Sequence, residues 1–212
     1  MKKRFIMILI ASAVIIAGAG VAVYALNRPE TTMPDSMPGM SMSASDGTEI
    51  TNSATYQQYA SLNGETYDKA FLSNMIVHHQ GAVDMAKLAV TNAKHQELKD
   101  LANTIITAQQ KEITNMTAWQ KQWNYPSTST DSMMGSMDGM TAMLTGKTGN
   151  DFDKAFIEQM IQHHQSAIEM AMPGTTNASH QEVKDLSSAI VTAQTSEITQ
   201  MKQWQKAWGY TS

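Results

Sequence analysis

The protein has 212 residues, 18 methionines, no cysteine and a formal net charge of −4. Its body carries more acidic than basic residues and has no basic patch, which argues against nucleic acid as a partner because phosphate binding needs clustered Lys and Arg. The absence of cysteine excludes a disulfide scaffold, a thiolate zinc site and a Cys nucleophile. The excess of methionine calls for an explanation.

The first 28 residues are typical of a membrane or export segment. A basic start at residues 2–4 precedes an uncharged run from Phe5 to Leu26. At about 1.5 Å per residue, this run is long enough to cross a hydrocarbon core of roughly 30 Å. It predicts an uncleaved anchor in the plasma membrane, and a cleaved signal peptide with its site at residues 17–19 is the alternative. In both cases the remainder is extracytoplasmic, in the periplasm or at the cell surface.

The body of the chain is an internal repeat. Residues 67–125 align with residues 152–210 without a gap, with 34 identities in 59 positions. Self-similarity of this kind is the signature of a tandem structural unit. The six histidines fall in register, as the pairs His78 and His163, His79 and His164, and His95 and His180. We therefore divide the chain into a membrane or signal segment at 1–28, a Met-rich linker at 29–64, a first repeat at 65–125, a second linker at 126–150 and a second repeat at 151–212.

Each repeat is predicted to be a helical hairpin. Apolar residues recur at helical spacing in a first helix and again in a second helix from about His95 to Trp123, with a turn at residues 91–93. In the second repeat, Pro173 and Gly174 end the first helix early. A hairpin of two helices cannot cover its own apolar face. We therefore predict an all-α fold in which the two hairpins form a four-helix bundle with pseudo-twofold symmetry.

Nine of the 18 methionines lie in the two linkers, in polar, turn-rich segments that no core needs to bury. Thioethers are soft ligands that favour Cu(I), and imidazole binds both Cu(I) and Cu(II). Outside the cytoplasm, methionine avoids the oxidation to disulfides that would consume cysteine ligands. The linkers are predicted to add weaker Cu(I) sites, with a plain spacer as the alternative. Their methionines are Met33, Met37, Met40, Met42, Met133, Met134, Met137, Met140 and Met143.

The helices carry the sharper metal-site prediction, in a Met-x-x-His-His frame that occurs once per repeat. Met75 precedes His78 and His79 by one helical turn, so its sulfur can meet either imidazole. Met85 follows two turns after His78 on the same side. Core histidines satisfied by a carbonyl or a carboxylate are the alternative. The predicted metal ligands are Met75, His78, His79, Met85 and Met116 in the first repeat and Met160, His163, His164, Met170 and Met201 in the second.

Other residues in register have predicted supporting roles. Glu112 and Glu197 lie on apolar stripes, where an ionised carboxylate needs a partner. Each either accepts a hydrogen bond from a neighbouring histidine or binds metal directly. His95 and His180 are interpreted mainly as local turn residues. The Trp-x3-Trp-x-Tyr segments that end both repeats are expected to close the ends of the bundle.

The motifs resemble the bacterial family of unknown function usually numbered 305, in two tandem copies. The resemblance rests on F-(L/I)-x2-M-I-x-H-H-Q-x-A at 71–82 and 156–167, followed by A-Q-x2-E-I-x2-M at 108–116 and 193–201. It covers nearly all of residues 67–210. The family is ferritin-like in fold, and some exported members resemble periplasmic copper-binding proteins of copper resistance. The resemblance thus implies metal binding at the matched His and Met positions.

The function expected from the sequence is that of an exported copper-binding protein, not an enzyme. It would bind Cu(I), with Cu(II) and Ag(I) as further candidates, and buffer, sequester or hand over the ion. The expected partners are the metal ion, the membrane through the N-terminal helix and a copper-exporting or copper-accepting protein. One alternative is a metal-free structural bundle at the cell surface. A ferritin-like metal oxidase is the other, although Met75 and Met160 occupy the positions where that chemistry wants Glu in Glu-x-x-His.

Overall fold

Two helical hairpins dominate the computed structural model, which describes residues 49–127 and 131–210. The predicted all-α fold of two repeated hairpins is confirmed. The expected membrane segment at 1–28 and the methionines of the first linker lie outside the described residues. Within the described ranges, no helix combines the length and apolar character needed to cross a membrane. The helices are α1 Ala54–Ala60, α2 Glu65–Asn92, α3 Gln96–Gln122, α4 Asp131–Ala142, α5 Gly149–Ala171, α6 Gly174–Asn177 and α7 Gln181–Ala207.

Each hairpin pairs two antiparallel helices, α2 with α3 and α5 with α7, and the first helices α2 and α5 also pack against each other. The turn of the first hairpin lies about two residues later than the predicted 91–93, because α2 continues to Asn92 and α3 begins at Gln96. In the second hairpin, α5 ends at Ala171 and the short helix α6 follows. Pro173 precedes α6, and a proline at this point cannot continue the hydrogen-bond ladder of α5.

Short backbone pairings tie the turn of each hairpin to the start of the other. Ala93 forms an isolated parallel bridge with Gly149, and Ala178 forms the equivalent bridge with Gly64. The N–H of Gly64 also donates to the carbonyl of Asn177 at 2.7 Å. Both glycines have positive φ, 58° and 63°, a conformation that disfavours any residue with a side chain. The two repeats are therefore joined at both ends of the bundle.

A buried aspartate reinforces each of these junctions. Asp153 is fully buried and accepts hydrogen bonds from the backbone N–H groups of Lys94 and His95, at 2.9 and 3.2 Å. The His95 ring donates a third bond from Nδ1 at 2.6 Å, and its face stacks on Trp208 with ring centroids 3.8 Å apart. His95 and His180 thus hold the two repeats together as well as standing at turns. The equivalent junction contains Asp68, Ser179, His180 and Trp123.

The second linker contains helix α4, which packs against α2. The expectation that no core buries its methionines is wrong for Met137, which is only 5% exposed. The segment is polar in composition, but its methionines are spaced so that three of them share one helix face. Met133, Met137 and Met140 recur at a spacing of four and three residues. Met137 on that face lies directly against Gly81 of α2.

Candidate metal centre

The second residue of each His-His pair meets a glutamate of its own hairpin. His79 Nε2 lies 2.6 Å from Glu112 Oε2 across the α2–α3 interface. Met75 lies one turn before His79, and Met116 lies one turn after Glu112. Because the two helices are antiparallel, these spacings bring the two methionines to the same level, and both belong to one packed cluster. The second repeat has the same arrangement with Met160, His164, Glu197 and Met201.

Two clusters of buried side chains contain three predicted methionine ligands each. The Tyr67 cluster comprises Tyr59, Tyr67, Phe71, Leu72, Met75, Met116, Ala167, Met170, Ala171, Ala178, Val183, Leu186 and Ile190. The Phe152 cluster comprises Ile50, Ala82, Met85, Ala86, Ala89, Ala93, Leu98, Leu101, Ala102, Ile105, Leu144, Phe152, Phe156, Ile157, Met160, Ile161, Ile168, Ile198 and Met201. All six predicted ligands among these methionines are fully buried.

The clusters exchange one methionine between the repeats. Met75 and Met116 come from the first repeat, and Met170 of α5 joins them in the Tyr67 cluster. In the same way, Met85 of α2 belongs to the Phe152 cluster of the second repeat. Met85 thus packs with methionines of the second repeat. Its partner set depends on how α2 packs against α5, and helical spacing within one repeat does not report that packing.

His78 and His163 meet where α2 crosses α5. Their ring centroids are 3.7 Å apart, the rings are inclined by 41°, and both side chains are fully buried. His163 Nε2 donates to the backbone carbonyl of His78 at 2.8 Å, which leaves a lone pair on His163 Nδ1. Burial lowers the pKa of both imidazoles well below the usual value, and the neighbouring histidines lower it further. Both rings are therefore neutral.

Buried imidazole nitrogens without a hydrogen-bond partner surround this crossing. Among the described residues, no partner reaches either ring nitrogen of His78 or the Nδ1 atoms of His79, His163 and His164. An unpaired buried polar atom costs about 1–3 kcal/mol, so four such rings need compensation. Neutral imidazole with a free lone pair is the form that binds metal. A second nitrogen held by a carboxylate, as in His79, is the usual support for a metal-ligating histidine.

The donor set fits a soft cation. In the part of the chain that the structure describes, no three His, Asp or Glu side chains converge as a metal-ligand group. Thioether sulfurs would have to complete the coordination, and thioethers prefer Cu(I) to harder ions. Glu112 and Glu197 pair with His79 and His164, which is the first of the two roles predicted for them.

Two buried glutamines with an unpaired oxygen were not predicted from the sequence. Gln109 and Gln194 occupy equivalent positions one turn before Glu112 and Glu197, and they are 4% and 3% exposed. Their Oε1 atoms have no hydrogen-bond partner among the described residues. The signal was present in the sequence, because both copies place an identical amide on an otherwise apolar stripe.

The linker methionines divide into two groups. Met134 and Met143 are 43% and 59% exposed, whereas Met133 and Met140 are half-buried on the inner face of α4. Met137 lies between the half-buried pair. The predicted linker sites at residues 33–42 lie outside the described residues.

The geometry defines a tandem helical-hairpin bundle whose core contains two methionine-bearing clusters and four buried histidines. The chain belongs to the DUF305 family, whose model is described as a domain of unknown function and matches residues 24–120 and 68–205. The predicted resemblance is confirmed.

Solved structures with this fold include copper-bound and silver-bound proteins. CopM in its Cu(I)-bound form is 40% identical, with a TM-score of 0.56 over 66% of this chain and 96% of CopM. The Cu(II)-bound form of CopM is 38% identical, with a TM-score of 0.57 over 66% and 97% of the two chains. A DUF305 protein from Streptomyces coelicolor, described as secreted, is 26% identical, with a TM-score of 0.62 over 68% and 94%.

A curated relative matches a shorter segment. An uncharacterized protein of Acanthamoeba polyphaga mimivirus is 45% identical over 49 residues, which are 23% of this chain and 32% of the viral protein. The chain thus spans about a third of the length of that relative.

Proposed function

We propose that this protein binds copper as Cu(I), held as cargo in two buried sites, one in each methionine cluster. The observation that carries the proposal occurs twice in one chain: three fully buried methionines share one cluster, and a carboxylate-supported imidazole whose Nδ1 has no partner among the described residues follows one of them by one helical turn. The CopM structures with Cu(I), Cu(II) and Ag support a copper or silver ion as the cargo.

The first site would be formed by Met75, His79 and Met116 from the α2–α3 hairpin, with Met170 contributed by α5. The second site would be formed by its pseudo-symmetric counterparts. The ligands are His164, Met160, Met201 and Met85. His78 and His163 lie between the two sites, where their free nitrogens offer further ligands.

Complete burial of these ligands favours sequestration and controlled transfer over rapid exchange with solvent. We place this activity outside the cytoplasm, because the basic start and uncharged run of residues 1–28 are typical of an export segment or plasma-membrane anchor. A copper-exporting or copper-accepting protein would then supply or receive the ion. An oxidase role is less well supported, since Met75 and Met160 replace the carboxylates that di-iron chemistry uses.

A competition titration tests the proposal. The purified protein is titrated with Cu(I) against a chromogenic chelator, with Cu(II), Zn(II) and Fe(II) in parallel. We expect two tightly bound Cu(I) ions per chain. Methionine-to-leucine changes keep the core volume and remove only the sulfur. Substituting the three methionines of the Tyr67 cluster should therefore remove one ion, and substituting the three of the Phe152 cluster should remove the other.

The matched control is Met172→Leu, which replaces a half-buried methionine outside both ligand sets and should leave the copper count unchanged. Absence of binding above the chelator background would contradict the proposal. The metal-free structural bundle would then be the better description of this protein.

A further inference from the structure

Helix α4 presents three methionines to the bundle core, which we call the inner α4 methionines: Met133, Met137 and Met140. Met133 packs against the Tyr67 cluster, and Met140 packs against the Phe152 cluster. Met137 is buried between them. One short helix therefore touches both clusters that contain the proposed copper ligands.

A glycine lets the middle member of this row approach α2 closely. A Cβ atom at Gly81 would lie 2.8 Å from Met137 Sδ and 2.9 Å from its Cβ. Without a side chain at Gly81, the thioether can rest on the α2 backbone. Gly81 lies one turn from His78, on the same side of the helix. The second repeat has Ser166 at the equivalent position, where a side chain replaces the hydrogen of Gly81.

A helix that covers α2 or α5 does not need methionine in order to do so. On the second repeat, helix α1 packs against α5. The apolar residues that α1 presents to the two clusters are tyrosines: Tyr59 is buried in the Tyr67 cluster and Tyr56 packs against the Phe152 cluster. Helix α1 contains no methionine. The sulfur atoms of α4 are therefore not explained by the need for an apolar cover.

We propose that the inner α4 methionines are a further Cu(I) ligand set, through which the ion passes between solvent and the two buried clusters. This inference rests on the proposed copper-binding function. Met133 and Met140 are separated by about 10 Å along the helix, and Met137 divides this separation into two steps of one helical turn each. Each step exchanges one thioether for another on Cu(I), and neither the ion nor the sulfur changes its oxidation state. The methionine that the ion leaves in each exchange is released as a neutral thioether.

The test measures the rate of copper transfer into the full-length protein. A Cu(I) complex of a chromogenic chelator is mixed with the protein in a stopped-flow instrument, and the loss of chelator colour gives the rate. In the triple variant M133L/M137L/M140L the apolar cover remains but the sulfurs are absent. We expect loading at least about tenfold slower than in the wild type, with an unchanged number of tightly bound ions at equilibrium.

The control is Met172→Leu, which removes a half-buried methionine outside α4 and outside both ligand sets and should load at the wild-type rate. A second variant, Gly81→Ala, keeps all the sulfurs but displaces Met137 from α2, and it should also slow loading. This variant decides the question if the triple variant does not fold.

Wild-type loading rates in the triple variant, or in Gly81→Ala, would overturn the transfer role. A triple variant that loads at the normal rate but binds fewer ions would also overturn it, and would make the row a storage site. If the wild-type protein binds no Cu(I) at equilibrium, it is the proposed function that fails.

Discussion

His79 Nε2 lies 2.6 Å from Glu112 Oε2, a contact that joins the first and second helices of the first hairpin. The imidazole is fully buried, and the carboxylate is 14% exposed at the edge of the interface. When the Nε2–H donates to Glu112, the lone pair stands on Nδ1, which has no partner within the described residues. The glutamate thus sets the orientation and tautomer of the ring.

Replacing that carboxylate with an amide should weaken one copper site selectively. Glu112→Gln keeps the shape of the side chain and an oxygen acceptor but removes the negative charge beside the imidazole. We expect Cu(I) affinity at one of the two sites to fall by about 10–100-fold, and Glu197→Gln should affect the other site equally. Chelator competition measures both. Glu97→Gln, at an exposed position on α3, is the control, and an unchanged affinity in Glu112→Gln would contradict the role assigned to the pair.

The apo protein should lose stability as the pH falls below about 6.5, the usual pKa of histidine. Burial holds the pKa of His78 and His163 well below that value in the folded state. Below pH 6.5 the unfolded chain therefore binds protons that the folded chain does not. The free energy of unfolding is highest above pH 6.5, and each histidine lowers it by up to about 1.4 kcal/mol per pH unit as the pH falls.

Urea unfolding at pH 7.5 and pH 5.5 measures this loss. The double variant H78L/H163L should show a smaller difference between the two pH values, because neither leucine takes up a proton. Equal pH dependence in the variant and the wild type would show that these two histidines do not cause it.

Removing one buried aspartate should loosen a junction between the repeats. Asp153→Ala leaves the N–H groups of Lys94 and His95 and the His95 ring without their acceptor. We expect a loss of about 3 kcal/mol in the free energy of unfolding, measured by urea denaturation. Asp151→Ala, at an exposed position two residues away, should change it by less than about 0.5 kcal/mol. Similar free energies of unfolding for the two variants would show that Asp153 does not stabilise the junction.

A methyl group at Gly174 should be poorly tolerated. A Cβ there would collide with the Tyr67 hydroxyl and with Ser187 Oγ, both in the packed interior. We expect Gly174→Ala to cost about 2 kcal/mol, seen as a lower Tm. Gly139→Ala on α4 meets nothing within 4 Å and should stabilise the helix by up to about 1 kcal/mol. A Gly174→Ala variant with the wild-type Tm would show that the interior can relax around the methyl group.

Much of the local arrangement follows from spacing within one repeat. Helical periodicity places Met75 and His79 on one face, and the repeat register shows that both copies retain them. The pairing of Glu112 with a histidine is one of the two roles predicted for it, because a carboxylate on an apolar stripe must find a partner. These relations involve short separations along the helix or the closing of one hairpin.

The contacts between the two hairpins could not be predicted from helical spacing. Met85 and Met170 cross to the opposite cluster because α2 and α5 pack side by side, and nothing in the spacing of either helix specifies that contact. Helix α4 was hidden for another reason. Its composition is polar and rich in glycine, and only the three-dimensional packing on Gly81 shows that Met137 is a core residue.

The exchange of Met85 and Met170 between the two clusters also has a consequence for a protein that contains a single hairpin. A chain with one hairpin would hold two methionines of one set and one of the other, so it would complete a copper site only by pairing with a second copy. Its copper affinity would then rise and fall with its own concentration. With both hairpins in one chain, the second is always present at high effective concentration. Such a protein can retain its ion after dilution into a large volume.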